Sequence, residues 1–419
     1  MEDLMNELAE SDLSQDLKDF QKEAFEFFRK EAPEEWTYQL MEEQHCSNPF
    51  SQELHEKITK KGYLSLSFPK EYGGQGLSSV FRGALTQTMM YSNIPHGNFN
   101  LYMNSTGYLG DTLVHAGTEE QKKRWLPKIS RGEIKSAVGM TEPEAGTDAA
   151  ACQARAVRKG NTFILNGTKL FSNAHNADWQ SVVCRTTVVP GKKHQGISLL
   201  LVDLHSTGVM RSPTLITMGG FKRCEVSYTD VVVPEENIIG IENEGWSMLV
   251  GPWLATERGY LAGMNYGIIK RDFEIVLKYV KENELNKIPW VRYKMAEAYT
   301  RLENLRLLVY HVFAATGEGT EDKQGDLSKE ASIAKVYSSE FLEWWLNLAM
   351  DILGTCGGLM SGATAYMPGS PDKERLFEHG MIALEYNDTQ GIQTGGGASE
   401  IQRDQIAIRG LGLPRFKGK

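Results

Sequence analysis

A chain of 419 residues is too long to close around one compact core, so two or three structural units are expected. With 41% hydrophobic and 24% charged residues, the composition excludes a disordered or fibrous protein. A formal net charge of -9 and the lack of a basic stripe exclude nucleic-acid coating, and no stretch has enough uninterrupted apolar residues to span a bilayer.

The opening Met1-Glu2-Asp3-Leu4 is acidic and lacks an apolar signal region, from which a cytoplasmic location is expected. Leu17, Phe20, Ala24, Phe27 and Phe28 recur at three-and-four spacing between Lys and Glu, which predicts a helix with one apolar stripe. A second helix is predicted from about Ser51 to Gly62, and Phe68 to Gly76 is a loop by its Gly and Pro content. Phe81 to Tyr91 and Met103 to His115 have few charges and predict buried helices. No Lys or Arg occurs between Arg82 and Lys122, which argues against binding a free substrate carboxylate there. Ser181 to Val189, Gly196 to Leu204 and Arg223 to Val233 are β-branched runs separated by Gly, Pro and Asn, the pattern of short antiparallel strands in a small barrel or sandwich. Helical periodicity returns with helices predicted from Trp246 to Glu282, Pro289 to Gly317, Leu327 to Leu353 and after Gly397, and Thr316 to Gly325 is a solvated connection. The five cysteines, Cys46, Cys152, Cys184, Cys224 and Cys356, are odd in number and lack Cys-x-x-Cys spacing, which predicts buried thiols rather than disulfides or a zinc site.

The most informative stretch runs from Gly139 to Ala177. Thr141-Glu142-Pro143-Glu144-Ala145-Gly146-Thr147-Asp148 sets hydroxyls and carboxylates among Gly and Pro, the composition of an ordered loop able to grip a polar ring. Lys159, Gly160 and Asn161 then form a turn before the alternating Phe163 and Leu165, and Asn166-Gly167 is expected to be a type I′ turn. Phe171-Ser172-Asn173 follows.

Thr141 to Asp148 followed by Leu165-Asn166-Gly167-Thr168-Lys169 resembles the flavin-contacting core of the acyl-CoA dehydrogenase family. The segment from Gly219 through Pro234 to Gly240, and the C-terminal run from Gly395 to Arg403 and on to Arg415, resemble further motifs of that family in the same order. The resemblance implies an α+β fold: an N-terminal α-helical domain over 1–136, a middle antiparallel β-barrel domain over 137–243, and a C-terminal four-helix bundle over 244–419. It implies FAD, held by Met140, Thr141, Phe171, Ser172, Asn173, Gly354, Gly395 and Gly396. Thr147, Arg258 and Gly397 are implied for the substrate. Phe171 stands where the family usually has Trp. The implied partners are an acyl-CoA, an electron-transfer flavoprotein, and either further copies in a dimer of dimers or a sister chain.

Removing hydrogen from two adjacent saturated carbons needs a base for the proton beside the thioester and a two-electron acceptor for the hydride. No Gly-x-Gly-x-x-Gly after a strand offers a nicotinamide site, which leaves a flavin as the natural acceptor. Many family members carry the base where Gly396 stands here, and glycine cannot take a proton. The isovaleryl and long-chain branch instead places Glu in a Glu-Arg pair, which here is Glu257-Arg258. Trp253, Leu254, Tyr260 and Leu261 around Glu257 predict a desolvated carboxylate with a raised pKa. Glu385 and Glu400 are the other candidates; Ser399-Glu400-Ile401-Gln402 matches a capping box, which assigns Glu400 to a helix start. The family's Arg-x-x-Phe-Gly is missing, Asn387 replaces an Arg, and Asp351 replaces a Gln. These changes resemble bacterial pimeloyl-CoA and steroid side-chain dehydrogenases. They leave two readings open, a catalytic acyl-CoA dehydrogenase or a non-catalytic or half-site subunit of a heteromer.

Overall fold

The computed structural model describes residues 14–44, 48–215, 222–315, 327–358 and 380–415. The chain forms two compact units that interleave along the sequence: Met1–His45, Ser78–Pro95 and Arg258–Lys419 make one, and Cys46–Leu77 with His96–Glu257 the other. No helix among the described residues is long and apolar enough to cross a membrane.

The unit holding residues 96–257 is organised on eight strands, β1 (Ser136–Gly139), β2 (Arg155–Lys159), β3 (Thr162–Ser172), β4 (Trp179–Arg185), β5 (Ile197–Asp203), β6 (Val209–Leu215), β7 (Lys222–Pro234) and β8 (Ile238–Ile239). Their order is β6-β7-β3-β2-β4-β5-β8, with β1 pairing β4. The ladders are antiparallel as expected, except that β1 and β2 meet β4 in parallel. Alternate residues of three strands, Phe163 and Leu165 of β3, Val231 and Val233 of β7 and Leu200 and Val202 of β5, share one core, while β5 is buried on both faces. β4 ends at Arg185, earlier than predicted, because the Thr186 and Thr187 N–H groups both donate to the Gly196 carbonyl and close the turn into β5.

The β2–β3 hairpin turns at Gly160 and Asn161 as expected. Asn166-Gly167 is not a turn. β3 continues through it, and the register against β7 slips between Leu165 and Gly167, leaving Asp230 of β7 at φ 50°. The Asn166 amide donates to Asp230 Oδ1 at 3.0 Å, and its oxygen accepts from the Asp230 N–H at 2.9 Å. A Cβ on Gly167 would stand 2.7 Å from Ala154 Cα, so the glycine permits a close strand approach.

Helices of this unit carry clear start signals. Ser51 accepts from the Leu54 N–H ahead of Gln52–Lys60, and Thr118 with Gln121 forms a reciprocal capping box on Glu119–Ser130. The buried rod predicted over Met103 to His115 is α-helical only in part: His96–Tyr102 passes into a π-helical stretch, Met103–Gly110, before Asp111–Ala116. A second π-helical stretch, Leu249–Trp253, interrupts the helix predicted from Trp246, between Gly245–Met248 and Leu254–Glu282.

The other unit is helical, with Gln15–Glu31, Glu34–Glu43, Ser79–Tyr91, Pro289–Ala315, Leu327–Leu353, Met381–Asp388 and Ser399–Gln405 joining most of Leu254–Glu282. The predicted stripe of the first helix is real, with Leu17, Ala24 and Phe28 buried. Phe273 packs on Trp345, ring centroids 5.6 Å apart, and on Tyr299. The predicted connection from Thr316 to Gly325 lies outside the described residues. Cys152, Cys184 and Cys224 are buried thiols as expected, Cys356 is exposed, and Cys46 also lies outside. Burial pushes the Cys184 thiol up to about 12, which keeps it inert.

Candidate active site

The loop after β1 is held by a buried ion pair. Lys169 Nζ reaches Glu142 Oε1 at 2.6 Å and the Met140 carbonyl at 3.0 Å. The Glu142 carboxylate also accepts from the backbone N–H of Ala154 at 3.0 Å and of Gln153. Thr141 is half-buried, and its carbonyl accepts from the Leu170 N–H at 2.8 Å, so the loop is stitched to β3 at Lys169 and at the residue after it. Thr147 is exposed.

Beyond Lys169 the register of β3 against β7 slips again, by one extra residue on β3 before Ser172. Phe171 sits in this bulge at φ 56°, a conformation unfavourable for an aromatic residue, and the residue is 51% exposed. The bulge turns Ser172 inward: its hydroxyl donates to the Val138 carbonyl at 2.8 Å and accepts from Gln180 Nε2 at 2.8 Å, while Tyr228 donates to Gln180 Oε1. Asn173 Oδ1 is buried with no hydrogen-bond partner among the described residues.

A second cluster in the same unit surrounds Glu257, which is 8% exposed. Tyr108 lies near the Glu257 carboxylate, and the Tyr108 ring meets Trp253 edge-on at 5.4 Å between centroids. Burial, followed by the negative charge of Glu257, pushes the Tyr108 phenol well above its ordinary value, while the positive charge of Arg223 pulls it down. Arg223 Nη1 also lies 3.5 Å from the Phe171 carbonyl. Arg223 thus brings positive charge near Tyr108, in the stretch that has no Lys or Arg of its own. Sequence inspection missed Tyr108, Arg223 and the Glu142–Lys169 pair as partners, because their separations of 27 to 149 residues carry no periodic signal.

In the helical unit Arg258 is buried, with Nε 3.5 Å from the Gly396 carbonyl and Nη1 3.4 Å from Ser332 Oγ. Gly396 and Gly397 have φ of 70° and 89°, and a Cβ on Gly397 would stand 2.4 Å from Gln402 Nε2. Gly354 and Gly395 face open space where a Cβ would stand. The expected capping box at Ser399 is not formed: Ser399 is the first helical residue after Ala398, and its hydroxyl donates to the Gln393 carbonyl at 3.4 Å while Gln402 Nε2 donates to the Gly396 carbonyl at 3.3 Å. Glu400 is exposed. Glu385 is buried against Arg271 and Asp272. Asn387 bonds back to the Ala383 carbonyl at 2.8 Å.

The sheet unit thus carries a loop pinned by Lys169 and a buried carboxylate at Glu257. Family models described as acyl-CoA dehydrogenase N-terminal, middle and C-terminal domains match residues 14–133, 137–231 and 243–411. The chain is 32% identical over 366 residues to the acyl-CoA dehydrogenase FadE26 of Mycobacterium tuberculosis, covering 86% of this chain and 87% of that one. It is 31% identical over 374 residues to the caffeyl-CoA reductase-Etf complex subunit CarC of Acetobacterium woodii, covering 86% and 93%. A solved structure, the Tcur3481-Tcur3483 steroid ACAD, superposes with TM-score 0.83 at 31% identity over 96% of this chain and 99% of that one.

The chain belongs to the acyl-CoA dehydrogenase family and is an FAD-dependent oxidoreductase. The residues present fit that cofactor: a half-exposed aromatic ring on a bulge, a buried amide oxygen lacking a donor at Asn173, and a loop held rigid by Lys169 suit a flat ring with N–H groups at its edge.

Proposed function

We propose that the chain dehydrogenates an acyl-CoA thioester to its trans-2-enoyl-CoA, with Glu257 as the base and an electron-transfer flavoprotein as the electron acceptor. The observation that carries this reading is the buried Glu257 carboxylate in a chain whose commoner base position is Gly396. Gly396 has no side chain, and its φ of 70° is one a Glu would adopt only under strain. The α-carbon C–H breaks with its electron pair entering the forming double bond, and the proton moves to a Glu257 oxygen. FAD, when bound, supplies the acceptor for the hydride leaving the β-carbon. Met140, Thr141, Phe171, Ser172 and Asn173, with Gly354, Gly395 and Gly396, are the proposed cofactor contacts. Phe171 offers its ring face and Asn173 an acceptor, while Ser172 acts through its backbone because its hydroxyl is committed to Val138. Thr147, Arg258 and Gly397 are the proposed substrate contacts. The labour divides along the chain as 1–136, 137–243 for flavin and thioester, and 244–419 for base and subunit contacts. Glu257→Gln is expected to retain bound FAD and lose anaerobic bleaching by acyl-CoA by at least about 10³-fold; bleaching at the wild-type rate removes Glu257 from the mechanism.

A second reading is favoured by Asn387, which bonds back on its own helix where the family usually has an Arg. In it the chain works beside an unlike sister chain, as the two names of the Tcur3481-Tcur3483 steroid ACAD suggest for that protein.

A further inference from the structure

We infer that Gln180 is a positioning residue for the flavin: its buried amide, held between Tyr228 and Ser172, fixes the strained bulge of β3 and so sets how Phe171 and Asn173 meet the cofactor. The inference rests on the proposed contacts of that bulge with FAD. Gln180 lies on β4 and is fully buried, a place where an amide is costly unless both of its ends are bonded. Its Nε2 donates to the Val138 carbonyl at 3.2 Å and to Ser172 Oγ at 2.8 Å, and its Oε1 accepts from the Tyr228 hydroxyl. The Ser172 hydroxyl donates in turn to the same Val138 carbonyl at 2.8 Å. Strands β1, β3, β4 and β7 thus meet on one side chain, although β4 and β7 are not neighbours in the sheet. Turning the amide over would set its oxygen against the Val138 carbonyl, so its direction is fixed. Burial keeps the Tyr228 phenol protonated, as its part as donor requires. The seat is tight, since a Cβ on Gly139 would stand 2.9 Å from Gln180 Nε2. Beside this network Phe171 sits at φ 56°, a left-handed conformation that persists only where the surrounding structure enforces it. Leu170 is fixed before it by the bond to the Thr141 carbonyl, and Ser172 after it by Gln180 and Val138. Asn173 comes next, with its buried acceptor. An apolar side chain at position 180 would fill the interior without desolvating an amide, so the chain of bonds answers a need for direction rather than for packing.

The test uses FAD-loaded protein and whichever of octanoyl-CoA, isovaleryl-CoA or cyclohexanecarbonyl-CoA bleaches it fastest. The visible absorption band of the bound flavin and its dissociation constant are measured, together with the saturating rate of anaerobic bleaching and the substrate concentration that gives half of it. Gln180→Leu removes both ends of the amide and is expected to displace the band, weaken FAD binding about tenfold and slow saturated bleaching about tenfold, with half-saturation moved less than about twofold. Ser172→Ala is expected to act likewise, and Ser172→Thr, which keeps a hydroxyl, to stay within about twofold of wild type. Val233→Ala opens a cavity elsewhere in the same sheet core and is expected to lower the urea midpoint while leaving the flavin band and bleaching rate in place. A wild-type band and rate in both Gln180→Leu and Ser172→Ala, or an equal change in Val233→Ala, overturn the inference. If Gln180→Leu does not fold, the Ser172 pair decides, and alanine and threonine variants that behave alike overturn it. Phe171→Leu separates the inference from the reading beneath it. An unchanged band in that variant removes the bulge from the flavin site, whereas a band displaced there but not in the Gln180 and Ser172 variants removes only Gln180.

Discussion

Lys169 is the residue on which the gripping loop depends. Its ammonium is fully buried, and its close partners are the Glu142 carboxylate and the Met140 carbonyl. Two charges removed from water cost several kcal/mol each, and only mutual attraction with further hydrogen bonds offsets that. The backbone donors of Gln153 and Ala154 complete the shell on Glu142, so the pair is satisfied on the carboxylate side. Lys169→Met therefore strands a buried carboxylate and is expected to destabilise the fold by about 3–5 kcal/mol in urea denaturation. Lys169→Met combined with Glu142→Gln removes both charges and is expected to recover most of that loss. A double variant no more stable than the single one contradicts the pairing. The Met140 carbonyl is held by Lys169 itself and the Thr141 carbonyl by the next residue, Leu170, so Lys169→Met is also expected to lower the FAD content of the purified protein.

At the scale of elements, one ion cluster ties three segments of the helical unit together. Arg271 on helix Leu254–Glu282 donates to Asp272 Oδ1 at 2.7 Å, to Glu385 on helix Met381–Asp388, and to Asn93 Oδ1 at 3.0 Å in the turn after Ser79–Tyr91. One guanidinium faces two buried carboxylates. Burial pushes the Glu385 carboxyl well above its ordinary value, Arg271 pulls it back, and Asp272 adds to the rise. A carboxyl whose folded pKa exceeds its unfolded one contributes stability that is fully present below the unfolded value and is lost as pH rises through the folded value. The urea midpoint is therefore expected to fall from about pH 5 upward, and Glu385→Gln, neutral at every pH, is expected to flatten that slope. An unchanged slope in the variant assigns the dependence elsewhere. Burial within this cluster also gives Glu385 a structural part and leaves Glu257 as the better candidate base.

At the scale of the whole molecule, the open question is whether one chain type suffices. Asn387 and Asp351 stand where the family pattern has an Arg and a Gln. A single purified chain with a complete site is expected to be yellow and to run as a homo-oligomer in light scattering. A chain that needs a sister is expected to be pale alone and to become yellow, at a fixed stoichiometry, when coexpressed with it. A preparation colourless under both conditions overturns the proposed flavin site.

Local pattern determined much of this protein. The apolar stripe from Leu17 to Phe28, the alternation of Phe163 and Leu165, and the order of the family motifs each depend on residues close in the chain, where spacing alone specifies a face or a loop. Asn166-Gly167 shows where that logic stops: the pair suits a tight turn, yet β7 and Ala154 press it into a continuous strand with a bulge. Ser399 likewise looked like a cap, but the Gln393 carbonyl claims its hydroxyl. Only the tertiary structure brought Tyr108 near Glu257 and joined Arg223 to Phe171 and Arg271 to Glu385, because such pairings arise from how distant elements pack. It also set the π-helical stretch Met103–Gly110, whereas Leu249–Trp253 carries Gly251-Pro252, a pair that disfavours regular α-helix in the sequence itself.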